Sequence, residues 1–181
     1  MCSSDLGSWG DKAIKEAKRV GKVNIAASTK ADNYSRIPAQ SELKLTPEAA
    51  YVHMTGNNTI EGTQWKSLPD VGGCPLVSDM SSEMFSRPVD VGKFGVIYAG
   101  AQKNLGPSGV TVVIIREDLL KRSGDHLHTM LNYRIMAEND SLYNTPNTFG
   151  VYILGLTMKW LKSLGGLSGI AAVNERKAAR L

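Results

Sequence analysis

Cysteine is scarce in this chain, with only Cys2 and Cys74 among 181 residues. Two such residues build no disulfide framework, so a reducing, cytoplasmic setting is the expectation. The three histidines, His53, His126 and His128, are scattered. An isolated His-x-His without further ligands is poor ground for a metal, and none is expected. No apolar run approaches the ~20 residues that span a bilayer. A strong charge of one sign is also missing: 21 Lys and Arg stand against 17 Asp and Glu. The Lys12–Lys22 cluster is broken by Asp11 and Glu16 and reads as the wet side of a helix. Neither nucleic acid nor membrane is therefore expected as a partner. Repeats and low-complexity segments are absent. Gly106-Pro107-Ser108-Gly109 lacks the Lys-Ser/Thr ending of a P-loop.

What is present is a globular composition, 42% hydrophobic and 21% charged, of one-domain length. Asp11–Val20 has apolar residues at helical spacing, and Gly21 supplies a stop. Short apolar runs at Val23–Ala27, Ala50–Thr55, Leu76–Ser78, Val96–Ala99 and Thr111–Ile115 predict strands, the last nearly all β-branched. Such continuous runs suit a sheet covered on both faces. Glu117–Lys121 predicts a short helix, Phe149–Leu164 a long buried one, and Leu167–Leu181 another after Gly165-Gly166. His126–Ser141 carries no readable pattern. Strands alternating with helices place the chain in the α/β class.

One lysine stands out. Lys103 lies in a small-residue run, Ala99-Gly100-Ala101-Gln102-Lys103-Asn104-Leu105-Gly106, between two predicted strands. Upstream, Asp79 ends another apolar run. A strand-end Asp and a turn Lys are what a pyridoxal phosphate enzyme uses: the Lys makes the Schiff base, the Asp holds the pyridinium proton. Each has a plainer reading, a solvated loop lysine and a turn cap before Ser81-Ser82. Trp9 could stack on a flat cofactor ring or simply fill a core. Thr59 could donate to a cofactor or cap a turn. Asn144 and Thr145 suit phosphate oxygens, or could cap the helix that follows.

These pieces resemble the phosphoserine aminotransferase family, a branch of the class V aminotransferases within the fold type I pyridoxal phosphate enzymes. The resemblance runs from Gly7 to Leu181. It rests on Gly7-Ser8-Trp9, Asn57-Asn58-Thr59-Ile60-Glu61-Gly62, Ser78-Asp79-Met80-Ser81-Ser82, Ser86-Arg87-Pro88, Tyr98-Ala99-Gly100-Ala101-Gln102-Lys103-Asn104 and Ser141-Leu142-Tyr143-Asn144-Thr145-Pro146. Asn58 departs from it, since many relatives carry Glu there.

The resemblance implies a mainly parallel mixed sheet flanked by helices, as part of the large cofactor-binding domain of fold type I. It implies pyridoxal 5'-phosphate as cofactor, Lys103 as the Schiff-base lysine and Asp79 as the pyridinium partner. Trp9, Thr59 and Gln102 match further cofactor contacts. Asn144 and Thr145 match a pair that reaches the cofactor phosphate of the neighbouring subunit, which implies a homodimer. The implied reaction moves an amino group from glutamate to 3-phosphohydroxypyruvate, giving O-phosphoserine and 2-oxoglutarate on the route to serine. Alternatives are another class V enzyme of the alanine–glyoxylate aminotransferase kind, or a non-catalytic oligomerising remnant. A cysteine desulfurase is disfavoured, because Cys74 precedes a strand. Residues 1–6 resemble a translated sequencing adapter and are set apart from the fold. Residues 7–181 are read as a partial large domain, lacking a phosphate-gripping Gly-Arg turn and a small C-terminal domain, with little activity of its own.

Overall fold

The computed structural model describes residues 1–180. In chain order it contains β1 (Cys2–Asp5), α1 (Ser8–Val20), β2 (Asn24–Ser28), β3 (Val52–Thr55), β4 (Asn57–Asn58), β5 (Thr63–Gln64), β6 (Leu76–Asp79), β7 (Val96–Gly100), β8 (Thr111–Ile115), α2 (Glu117–Leu120), α3 (Tyr133–Glu138), α4 (Thr148–Ser163) and α5 (Gly166–Ala178). Six strands form one sheet in the order β2-β1-β3-β6-β7-β8. All neighbours pair parallel except β7 and β8. β4 and β5 make a separate antiparallel hairpin. This is the mainly parallel mixed α/β sheet implied by the sequence. No helix among the described residues is long and apolar enough to cross a membrane.

Sheet alternation sorts the two faces. On one, Val52, Met54, Leu76, Ile97 and Ala99 meet Trp65, Met80, Met84, Phe94 and Leu105 in the core. Each large side chain buried this way contributes roughly 1.5–3 kcal/mol. The other face carries the row Ser3, His53, Val77, Val96 and Ile115, set by strand register. A second row, Thr55, Asp79, Tyr98 and Val113, lies one pleat nearer the carboxyl edge. A groove of about 770 Å³ runs along this face between α1 and the sheet, and its lining includes neither Lys103 nor Asp79 nor Trp9.

Three local differences from the sequence reading have physical causes. Cys2–Asp5, set apart from the fold above, forms a fully enclosed strand between β2 and β3. No β-branched residue announces it; the site between two strands accepts small side chains. α4 is not the buried helix expected. Leu154, Met158 and Leu161 face the core, but Phe149 is 71% and Trp160 54% exposed, with Tyr152 and Leu156 exposed beside them. Continuous hydrophobicity hid this two-sidedness, because apolar side chains on both faces erase the amphipathic period. Within the unreadable 126–141 stretch, Asn132 accepts a hydrogen bond from the Arg134 N–H and starts α3.

Candidate active site

Four elements deliver the predicted residues to one edge of the sheet, the carboxyl ends of its parallel strands. This is where open α/β sheets bind ligands, next to the point where strand order reverses. Here β1 connects outward to β2 on one side, while β3, β6 and β7 lie on the other. Trp9 stands in the first turn of α1, after β1. Thr59 follows the β4 segment after β3, Asp79 ends β6, and Lys103 follows β7.

The turn bearing Lys103 is pinned from beneath. Ala101 and Leu105 are fully buried, the Ala101 N–H donates to the Val110 carbonyl at 2.9 Å, and Gly106 N–H donates to the Ala101 carbonyl at 2.8 Å. The Asn104 amide donates to the Met84 carbonyl at 2.7 Å, and the Gly100 N–H donates to Ser81 Oγ at 3.0 Å. With its neighbours held, Lys103 projects outward. Its Nζ donates to Thr59 Oγ1 at 3.0 Å and lies 4.7 Å from the centroid of the Trp9 ring. Lys12 Nζ sits 4.4 Å from the same ring. The indole thus draws two cations to its π-system. Lys103 is exposed, and Lys12 brings a second positive charge to the same ring.

Asp79 is half-buried at the carboxyl end of β6, flanked in register by Thr55 and Tyr98. Its Oδ1 accepts the Ser81 N–H at 2.9 Å, so the turn-cap reading is satisfied by one oxygen. No ion pair engages the carboxylate among the described residues. Beside it, the Thr55 hydroxyl is buried without a hydrogen-bond partner. Sequence reasoning did not single out Thr55, which looked like an ordinary strand residue.

It also missed a buried pair behind Asp79. His53 Nε2 lies 2.9 Å from the Tyr98 hydroxyl, and its Nδ1 lies 3.3 Å from Ser3 Oγ. The two rings stack with centroids 6.1 Å apart. Burial pushes the His53 imidazole below its ordinary value, an effect the Asp79 charge partly offsets. Burial also raises the Tyr98 phenol far above its ordinary range, with the Asp79 charge adding to it. Both groups are therefore neutral at physiological pH.

The other predicted residues divide. Gln102 neighbours Lys103 in the chain, but its amide folds back on Gly100, where an added Cβ would meet Gln102 Oε1 at 2.5 Å. Asn144 and Thr145 are exposed, and the Asn144 amide reaches only the Thr145 carbonyl, at 3.5 Å. Neither joins the Lys103 cluster. The capping role open to them falls to Asn147, whose Oδ1 accepts the Gly150 N–H at 3.0 Å. Asn58, the departure from the family pattern, is wholly buried and closes the β4–β5 hairpin through Thr63 Oγ1 at 3.1 Å.

The donor set fits pyridoxal phosphate. An unpaired half-buried carboxylate suits a protonated ring nitrogen, an indole face suits a flat heterocycle, and a hydroxyl and an amine stand together at its edge.

The profile of the aminotransferase class-V family matches residues 3–181. Phosphoserine aminotransferase of Herpetosiphon aurantiacus is 58% identical over 172 residues, covering 95% of this chain and 48% of that protein. The structure of phosphoserine aminotransferase from Bacillus circulans subsp. alkalophilus superposes with a TM-score of 0.95 at 51% identity, over 99% of this chain and 50% of that one. The pyridoxal phosphate-bound phosphoserine aminotransferase of Trichomonas vaginalis superposes at 0.91 with 38% identity, over 99% of this chain and 54% of that one. The chain spans about half the length of the curated relatives it matches.

Proposed function

This chain belongs to the aminotransferase class-V family, and on that footing we propose that it carries the cofactor-holding part of a pyridoxal phosphate-dependent phosphoserine aminotransferase. The observation that carries the reading is the convergence of Lys103, Thr59 and Trp9 on one sheet edge that also ends in Asp79. The substrates would be glutamate and 3-phosphohydroxypyruvate, the products 2-oxoglutarate and O-phosphoserine, in the cytoplasm. Sequence identity of 53–58% to phosphoserine aminotransferases supports that choice.

When bound, the cofactor supplies a conjugated ring that accepts the electron pair of the substrate Cα–H bond. Lys103 Nζ would anchor it covalently and would take and return the substrate Cα proton. Asp79 would hold a proton on the ring nitrogen and so keep the ring an effective electron acceptor. The neutral His53–Tyr98 pair behind it adds no competing charge. Trp9 would stack on the flat ring, and the Thr59 hydroxyl, now paired with Lys103, would be a further hydrogen-bonding partner for it. Gln102 lines the same turn.

Asn144 and Thr145 make no contact with this cluster within one chain and stand exposed ahead of the exposed apolar face of α4. That placement supports a homodimer in which they reach the partner's cofactor phosphate.

The test is direct. Purified protein is mixed with pyridoxal phosphate, reduced with borohydride and mapped by peptide mass spectrometry. Label at Lys103, abolished in Lys103→Ala, is the expected result. Label on another lysine with Lys103 free would defeat the assignment. Asp79→Asn should retain the label while slowing proton exchange at the substrate Cα by about a hundredfold or more.

A further inference from the structure

We propose that Glu61 is a positioning residue that locks the Trp9-bearing helix to the Thr59-bearing turn; the role rests on the cofactor site proposed above. Trp9 and Thr59 meet Lys103 from elements some fifty residues apart, and something must hold their spacing. Glu61, two residues after Thr59, sends Oε1 to the start of α1. There it accepts the Ser8 N–H at 2.8 Å and the Ser8 hydroxyl at 2.9 Å. Ser8 opens the helix and Trp9 is the next residue.

α1 has no local alternative. Gly7, at its N-cap, offers no side chain, and Asp11 in the first turn pairs instead with Lys15 at 2.7 Å. A carboxylate from a distant turn therefore serves as the cap, where a negative charge meets the positive end of the helix and makes charge-assisted hydrogen bonds. The local backbone is shaped to admit it. Gly7 has φ +148°, and an added Cβ would lie 2.5 Å from Glu61 Oε2. That second oxygen is buried and has no hydrogen-bond partner, so nothing draws the carboxylate elsewhere. The Lys103–Thr59 bond and the Lys103–Trp9 contact are thus referenced to one carboxylate on both sides.

The experiment uses the full chain without cofactor, labelled with nitrogen-15, and reads the indole N–H signals of Trp9, Trp65 and Trp160. Glu61→Ala should move the Trp9 signal and leave the other two in place. Glu61→Gln, which keeps an acceptor of the same length, should restore it. Binding of pyridoxal phosphate should weaken about tenfold in Glu61→Ala and far less in Glu61→Gln, the size expected for a lost helix cap. Should Glu61→Ala fail to fold, Ser8→Ala, which removes the hydroxyl bond alone, and Glu61→Asp, which stretches both, should move Trp9 in the same direction by less. A stationary Trp9 signal, or three signals moving together as in general loosening, would overturn the proposal. Absence of cofactor binding by the unaltered chain, with Trp9 responding as stated, would instead sink the cofactor reading and leave the lock in place.

Discussion

Replacing Arg87 by alanine should be among the most damaging single changes outside the hydrophobic core. Glu83 has a side chain only 2% exposed, and its Oε2 accepts from Arg87 Nη2 at 3.1 Å and from Gln64 Nε2 at 2.9 Å. Removing the cation strands a buried carboxylate, which costs about 3–5 kcal/mol. Arg87 is itself 31% exposed. Water can then approach the vacated side, which brings the figure to about 3 kcal/mol. The Arg87 bond to the Trp65 carbonyl, at 2.8 Å, is lost as well. It adds about 1 kcal/mol. A total of about 4 kcal/mol takes a large share of the roughly 5–15 kcal/mol that holds a typical domain. At about 2–4 °C per kcal/mol for this size, the melting temperature should fall by roughly 8–16 °C. Gln64 belongs to the hairpin whose turn carries Thr59, and Glu83 Oε1 lies where a Cβ on Gly56 would be, so the damage should spread to the sheet edge that holds Thr59 and Lys103. The assay is thermal and urea unfolding of four proteins: unaltered, Arg87→Ala, Glu83→Gln and the double variant. Neutralising Glu83 in the Arg87→Ala background should recover at least half of the loss. Recovery of nothing, or an Arg87→Ala cost under about 1 kcal/mol, would refute the claim that an uncompensated buried charge sets the energy.

His53 makes stability sensitive to acid. Its folded value lies below the ordinary 6.5. As pH falls through that window the unfolded chain takes up a proton that the folded chain does not, so stability is full above the ordinary value and declines below it. In urea titrations the unaltered chain should lose more stability between about pH 7 and about pH 5 than His53→Gln does; equal losses would contradict this. On α4, Phe149→Ser with Trp160→Ser should shift the proposed dimer toward monomer in sedimentation velocity, with little change in melting temperature. An unchanged sedimentation coefficient would place the interface elsewhere.

Much of this molecule was legible beforehand because local chemistry was unambiguous. Five β-branched or apolar runs became β2, β3, β6, β7 and β8, and the Ala13-Ile14-Ala17-Val20 spacing became α1, which in fact begins three residues earlier, at Ser8. The small-residue turn around Lys103 and the strand-end position of Asp79 also stand as read. The polar segment Cys2–Asp5 was illegible as a strand, since its only reason to be one is the pair of neighbours on either side. The exposed face of α4 was illegible because its inner and outer surfaces are equally apolar.

Residue order alone was enough to indicate the α/β class and to place Lys103 in a turn and Asp79 at a strand end, because those depend on short-range pattern. Only the folded arrangement decided who stands beside them. Glu61 capping a helix 53 residues away, His53 meeting Tyr98, and the orphaned Thr55 hydroxyl are products of strand order and register. Parallel strands bring together residues with no proximity along the chain, and no local preference encodes which of them will share an edge.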